Sequence, residues 1–348
     1  MLQYKEICGA LHLHTTFSDG GVDYPAMIKT AQVLNLDFIV VTDHMTLQGL
    51  QSGYEGFHDT LAVLCGYEHN DRNNRNHYLA MGVNRVFTDA TEPQTYIDAV
   101  KGNGGIGFLA HPAEKRNYMA AFPAYPWTTW EIDRFDGIEI WNQFSDWVEQ
   151  LRTWKSVIRL CFPRRFIKRA PEELLKKWDE LNMSRYVSGV GGVDAHTMTY
   201  RKGLFAFKVF PIKVELKGIR THLYIPENQT DNDFGNHKKS ILNSLKNGHS
   251  FISNFRRGDA SGSVFALVTK NGTKYPPGNF TYDSSPVALQ VSIPKTAEIR
   301  FVVNNKIAKT VYAKEASFDT AASGVYRIEV CRKDSVWIYS NPFRIFTI

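Results

Sequence analysis

The stretch from Ile7 to Gly21, ICGALHLHTTFSDGG, decides how this chain is read. Residues Ile7–Leu13 have the apolar texture of a buried strand, and His12 and His14 stand at its end. The two histidines are two positions apart, so strand periodicity aims both imidazoles at one face, where two neutral rings can chelate one metal ion. Asp19 follows in the adjoining Ser-Asp-Gly turn. Taken alone, such a pair reads more readily as two satisfied core histidines. The arrangement recurs, however. FIVVTDH (38–44) ends an apolar strand with Asp43 and His44, and LCGYEH (64–69) ends another with Glu68. IGFLAHP (106–112) ends with His111 and GVGGVDAH (189–196) with Asp194 and His196, while His77 opens HYLAMG (77–82). Burying an ionisable group without a partner costs a few kcal/mol. A core has little reason to repeat that at strand after strand, and a divalent ion is the partner that removes the cost.

Outward from these segments, the first two hundred residues alternate strands with amphipathic helices. Strands are expected at Ile7–Leu13, Phe38–Thr42, Leu61–Glu68, His77–Gly82, Ile106–Ala110, Gly137–Trp141 and Val187–Val193. Asp23 can cap a helix with Pro25 in its first turn and Met27, Ile28, Ala31 and Leu34 on one face. A second helix starts near Pro93 and buries Tyr96, Ile97 and Val100; a third, PEELLKKWDELN, aligns Leu174, Leu175, Trp178 and Leu181. This is the pattern of an α/β fold with parallel strands, whose carboxyl ends converge on one pocket in barrel-like members. After about residue 255, short alternating runs (VFALVTK, VALQVSI, IRFVVNN, YRIEV, VWIYS) separated by Asn271-Gly272 and Pro277-Gly278 read as an antiparallel β-sandwich. The expected domains are 1–254 and 255–348, the second immunoglobulin-like.

At 348 residues the chain is too long for one ordinary core. With 43% hydrophobic and 22% charged residues it falls outside the disordered and fibrous classes. No apolar run approaches the roughly 18 residues that span a bilayer, and the start carries no basic-then-apolar leader pattern, so a cytoplasmic location is expected. Cys8, Cys65, Cys161 and Cys331 form no CxxC pair and read as isolated buried thiols. The formal charge of +6 suits a small anionic substrate; nucleic acid does not follow from it.

The ordered series HLHTTFSDGG, VTDH, GYEHN, FLAHP and GVDAH resembles the successive motifs of the PHP (polymerase and histidinol phosphatase) superfamily. The resemblance spans about residues 7 to 200 and continues more loosely to about 254. It implies a distorted (β/α)7 barrel that holds three divalent ions. Carried over position by position, it implies His12, His14, Glu68 and Asp194 on one ion, with Glu68 bridging to a second ion held by His77 and His111. Asp19, His44 and His196 would hold the third. His69, beside Glu68, competes with His77 for its role, and Asp43 reads either as a carboxylate supporting a ligand or as a turn residue. The C-terminal motifs GIRTHLYI, ILNSLKNGHSFISN and VWIYSNPFRI resemble the branch of carbaryl-hydrolase-like metallohydrolases that joins such a barrel to a β-sandwich.

Nitrogen and oxygen ligands together favour manganese, iron or zinc over calcium. Such ions lower the pKa of bound water from about 15.7 towards neutrality and so supply hydroxide for hydrolysis. The first reading is therefore a phosphoesterase acting on a small phosphate ester, a nucleotide among the candidates. An amide, carbamate or ester hydrolase on the same cluster is the second, and a non-catalytic scaffold the third, which the complete ligand set disfavours. Asp194 or His196 could carry a proton. Lys115, Arg116, Arg72, Arg75 and Arg201 are candidate phosphate binders, each with a solvated surface charge as its alternative. Residues 141–170, rich in tryptophan, phenylalanine and basic residues, read first as a lid or oligomer contact and less readily as an exposed basic amphipathic helix. The sandwich is a candidate buttress or homodimer contact.

Overall fold

The computed structural model describes residues 4–116, 123–149, 162–202, 205–227, 233–279 and 286–346. The elements that position the site are β1 (Tyr4–Leu13), α1 (Tyr24–Val33), β2 (Phe38–Val41), β3 (Leu61–His69), β4 (Tyr78–Met81), α2 (Pro93–Gly102) and β5 (Ile106–Leu109). They are followed by β6 (Gly137–Asn142), α3 (Gln143–Glu149), α4 (Glu172–Ser184), β7 (Ser188–Gly192), β8 (Ile219–Pro226), α5 (Phe234–Lys246) and β9 (Ser250–Asn254). The Asp23 side chain caps α1 by accepting from Ala26 N at 2.9 Å. With Pro25 in the first turn, α1 buries Met27, Ile28 and Ala31, while α2 buries Tyr96, Ile97 and Val100.

β1, β2 and β3 pair in parallel in that order, as do β5, β6 and β7. An isolated parallel bridge between Leu13 and Ala195 then returns the succession to β1, with Val193 N donating to Leu11 O at 2.9 Å. β4 departs from the expected all-parallel sheet by pairing antiparallel with both β3 and β5. The reason is the connection: β3 and β4 are joined by a short loop, and a parallel return needs a crossover of a dozen residues or more. Because β4 runs backwards, its first end lies where its neighbours finish, which brings His77 to the same edge as Glu68 and His111.

Side chains alternate between two apolar clusters. Ile7, Leu11, Val40, Leu64, Leu79, Phe108 and Val190 share one with Ile241 and Leu245 of α5. Cys8, Ala10, Leu13, Val41, Val63, Val193 and Ala195 share the other with Met27, Ile28 and Ala31 of α1. Cys8, Cys65 and Cys331 are buried free thiols; Cys161 lies outside the described residues.

The C-terminal strands of three or more residues are β10 (Val264–Val268), β11 (Val287–Val303), β12 (Lys306–Thr320), β13 (Gly324–Arg332), β14 (Ser335–Ser340) and β15 (Phe343–Ile345). Two of the expected runs, VALQVSI and IRFVVNN, form the single strand β11, whose register shifts between Ser292 and Ala297. Pro294 sits in that shift, where a residue without an N–H interrupts the ladder at least cost. Its long partner β12 was not among the expected strands, because its alternation is largely of exposed residues. β8 pairs with β1 and β9, and β9 pairs with β14, so the sheet runs on from the first part of the chain into the second. Tyr224 and Phe251 join the cluster of Leu289, Phe301, Ile328 and Trp337. Arg327 of β13 donates to Asp179 of α4 at 3.0 and 3.1 Å in a buried ion pair across the same junction. Among the described residues no helix is long and apolar enough to cross a membrane.

Candidate metal centre

The entry of His12 into the site depends on a backbone irregularity. Uninterrupted alternation from Ile7 and Leu11 would turn His12 and His14 to the α1 side, along with Cys8 and Ala10. Instead His12 adopts φ 63°, and the β1–β2 register shifts between Leu11 and Leu13. Leu13 therefore falls in with Cys8 and Ala10, and the two histidines turn inward. Asp194, between Val193 and Ala195, makes the same move with φ 54°, and His111 has φ 29°. Left-handed backbone at non-glycine residues costs on the order of 1–3 kcal/mol each and gathers at functional sites. Here it falls on three candidate ligands.

All nine candidate ligands meet around Glu68, which is 1% exposed. Its Oε2 lies 3.0 Å from His12 Nε2 and 3.2 Å from His14 Nε2, and its Oε1 lies 2.7 Å from His77 Nδ1 and 3.0 Å from His111 Nε2. Asp194 Oδ1 is 3.5 and 3.4 Å from His12 and His14 Nε2 and 3.3 Å from His196 Nδ1. Asp19 Oδ2 is 3.2 Å from His196 Nε2 and 3.7 Å from His44 Nε2. Four overlapping groups have ligand atoms close enough to share an ion: His14 with Asp19, His44 and His196; His12 with His14 and Asp194; His12 with Glu68 and His111; and His44 with Glu68 and His77. His69 turns away instead, its Nε2 bonding to Ala90 O at 2.8 Å beside the Tyr96 ring.

The residues fit divalent cations on one decisive count. His14 Nδ1 and Nε2, His77 Nε2 and His111 Nδ1 are buried without a hydrogen-bond partner. Buried nitrogens of this kind are normally satisfied; here His14 Nε2 and Nδ1 lie 3.2 and 3.6 Å from the Glu68 and Asp19 carboxylates, and His111 Nδ1 lies 3.9 Å from that of Glu114. Burial alone would lower the His12 pKa, but the Glu139, Asp194 and Glu68 carboxylates raise it well above its usual value. His111 and His196 are likewise raised to about 9 against the effect of burial, chiefly by Glu114 and Asp194 respectively. Burial would raise Glu68 and Asp194; the histidines around them hold both well below the usual carboxylate range. Burial pushes His44 down to about 4.

Two supporting carboxylates were not picked out from the sequence. Glu139, fully buried on β6, takes His12 Nδ1 at 2.9 Å through Oε1. Its Oε2 accepts from His111 N at 2.7 Å and Asn142 Nδ2 at 2.9 Å. A carboxylate on Nδ1 fixes the tautomer that leaves Nε2 free as a ligand. Gly192 makes room for it, since a Cβ there would come within 1.7 Å of Glu139 Oε1. Glu215 accepts from His196 N at 3.1 Å and Thr197 Oγ1 at 2.8 Å, and burial raises it to about 7. The signal for Glu139 was a charged residue inside the otherwise apolar run GIEIW. Asp43 is a supporting carboxylate: it accepts from Thr15 N, Thr15 Oγ1 and Ser18 Oγ at 2.7, 2.8 and 2.7 Å, fixing the loop that carries Asp19. That loop is pressed against its neighbour at Gly21, where a Cβ would lie 1.7 Å from Thr197 O.

Residues 10–104 match the PHP domain family. The PHP-matching segment contains His12, His14, Asp19, His44, Glu68 and His77; His111, Asp194 and His196 lie beyond it. No curated protein sequence matches the chain. Among solved structures, a two-domain protein of Bacteroides vulgatus containing a "predicted PHP-like metal-dependent phosphoesterase" is 12% identical, with 98% of this chain and 96% of that one covered and a TM-score of 0.43. PsfC of Pseudomonas syringae is 16% identical (70% and 90% covered, TM-score 0.40), and an amidohydrolase of Chromobacterium violaceum is 13% identical (59% and 92% covered, TM-score 0.34).

The candidate ligands open onto a cleft of about 390 Å³ whose wall includes Arg116, Tyr125 and Phe144. Of the candidate phosphate binders, only Arg116 lines this cleft among the described side chains. Lys115 pairs with Glu173 and lines a neighbouring cavity together with Arg75. Arg72 points to Thr91 and Glu92 in solvent, away from the cleft. The side chain of Arg201 lies outside the described residues. In the aromatic-basic segment, Trp141, Phe144 and Trp147 are core residues rather than the face of an exposed amphipathic helix, and 150–161 lie outside the described residues. Of its described aromatic residues, Phe144 reaches the site, its ring 5.1 Å from that of His196, and Asn142 Nδ2 donates to Asp194 Oδ2 at 3.2 Å.

Proposed function

We propose that the protein is a metal-dependent phosphoesterase that hydrolyses small phosphate esters. The observation that carries the reading is the set of buried, unpartnered histidine nitrogens converging with Glu68, Asp194 and Asp19 on one cleft. Arg116 at its wall favours a phosphate. His12, His14, Glu68 and Asp194 would hold one ion, Glu68, His77 and His111 a second, and Asp19, His44 and His196 a third, each manganese, iron or zinc. Bound there, the ions would supply Lewis acidity and an activated water. The chain's own contribution is positional: Glu139 holds the His12 tautomer, Glu215 holds the His196 backbone, and Arg116 orients a substrate oxygen. His196, 12% exposed at its side chain, would pass a proton to the departing oxygen, with the Asp194 carboxylate beside it. We read the ring of strands as a distorted (β/α)7 barrel over 1–254 and the remainder, 255–348, as an immunoglobulin-like β-sandwich that buttresses it.

The test is turnover of a panel of phosphate monoesters, phosphodiesters, carboxylic esters and carbamates by manganese-loaded protein. Chelator-sensitive release of phosphate is expected. Turnover of carbamates or carboxylic esters with none of the phosphates would replace the phosphoester reading by an amide or ester hydrolase on the same residues.

A further inference from the structure

Beside the cleft lies a larger cavity of about 1030 Å³, at the upper end of the size range for small-molecule sites. Arg116 and Pro123 line both spaces, so the two adjoin. Pro112, Leu174 and Trp130 give the larger one apolar and aromatic surface. Its two carboxylates are already engaged, Glu173 by Lys115 and Glu114 by Arg116. Two further cations on the wall, Arg75 and Lys177, have no carboxylate partner among the described residues, and Lys177 Nζ stands 5.5 Å from the Trp130 ring centroid. At the threshold, Arg116 Nε is buried without a hydrogen-bond partner.

Surplus positive charge on an aromatic wall, next to a site that holds a phosphate, selects for a particular leaving group. Resting on the phosphoesterase reading, we propose that this cavity binds the leaving group of the ester, an aromatic body carrying a second negative charge. In the reaction, water oxygen replaces the ester oxygen on phosphorus and one water proton ends on the departing oxygen. The product in the cavity is then a hydroxylated aromatic anion. Lys177 and Arg75 would meet its charge and Trp130 its ring.

Two measurements test this with the full chain. The first is kcat/KM on phenyl phosphate and on 3-carboxyphenyl phosphate with manganese; the second is equilibrium binding of phenol and 3-hydroxybenzoate. The carboxylated ester and 3-hydroxybenzoate should each be favoured by about tenfold, as expected for one charge-assisted contact. Lys177→Glu should abolish that preference, bringing the ratio of the two kcat/KM values to about one. Equal binding of phenol and 3-hydroxybenzoate, or a preference unchanged in Lys177→Glu, would overturn the assignment. Preferential binding of 3-hydroxybenzoate by a protein that turns over no phosphate ester would uphold the cavity and count against the phosphoesterase reading alone.

Discussion

Two buried histidine clusters lie toward opposite ends of β1. Near its start, His222 bonds Glu6 Oε1 through Nδ1 at 2.7 Å and Ser253 Oγ through Nε2 at 2.8 Å, with its ring stacked on Phe251. Every ring nitrogen there is satisfied. The order Ser253–His222–Glu6 has the connectivity of a hydrolase triad, yet Ser253 is fully buried. Near the end of β1, His12, His14, His77 and His111 crowd Glu68 and still leave ring nitrogens unbonded. Burial, charge and histidine are common to both clusters. What separates a structural cluster from a candidate metal centre is the unmet bonding capacity and the left-handed backbone at His12, His111 and Asp194.

The sharpest way to break this contrast is to remove a ligand. His14→Ala or Asp194→Ala should lose bound metal and reduce turnover by more than about a hundredfold, since even outer partners of metal ligands are worth about 10–100-fold. Circular dichroism should stay unchanged. Next comes the support: Glu139→Ala should weaken metal affinity by about 10–100-fold, measured by competition with a chelating dye. Gly192→Ala should act in the same direction by displacing the Glu139 carboxylate.

The His222 cluster should respond oppositely. His222→Leu should leave metal content and turnover intact but lower stability by about 1–3 kcal/mol, because Glu6 and Ser253 lose a buried partner. Burial would lower the His222 pKa, but the Cys8 sulfur and the Glu6 carboxylate raise it from 6.5 to about 9, with Ser253 and Phe251 on the facing strand uncharged. Because the folded-state value is the higher, its stabilisation is fully present below pH 6.5 and is lost as the pH rises through about 9. Denaturant midpoints of the wild type should fall across that window, and those of His222→Leu should fall less. The smallest effect expected is that of Arg72→Ala, which points into solvent and should change KM by less than about twofold.

One side of this contrast, the strand-end cluster, was legible in the sequence; the His222 cluster was not. The strands from β1 to β7, the Asp23 cap and the strand-end series from His12 to His196 could all be read from periodicity and position. The reversal of β4 was not, although the loop between Glu68 and His77 is too short for a crossover. Nor was the bulge at His12, because two residues of equal spacing share a face whichever way a bulge turns them. Glu139 was hidden inside an apolar strand, where its partners come from β1 and from the loop after β5. The continuity of the sheet through β9 and β14 depends on pairings between distant segments, which local alternation does not encode.

Metal stoichiometry distinguishes divalent-metal binding at the strand-end cluster from binding at the His222 cluster. Manganese-reconstituted wild-type protein, His14→Ala and His222→Leu would be compared by elemental analysis after gel filtration. The wild type and His222→Leu should carry the same number of ions per chain, and His14→Ala fewer. Equal metal content in wild type and His14→Ala, or loss of metal in His222→Leu alone, would contradict metal binding at the strand-end cluster.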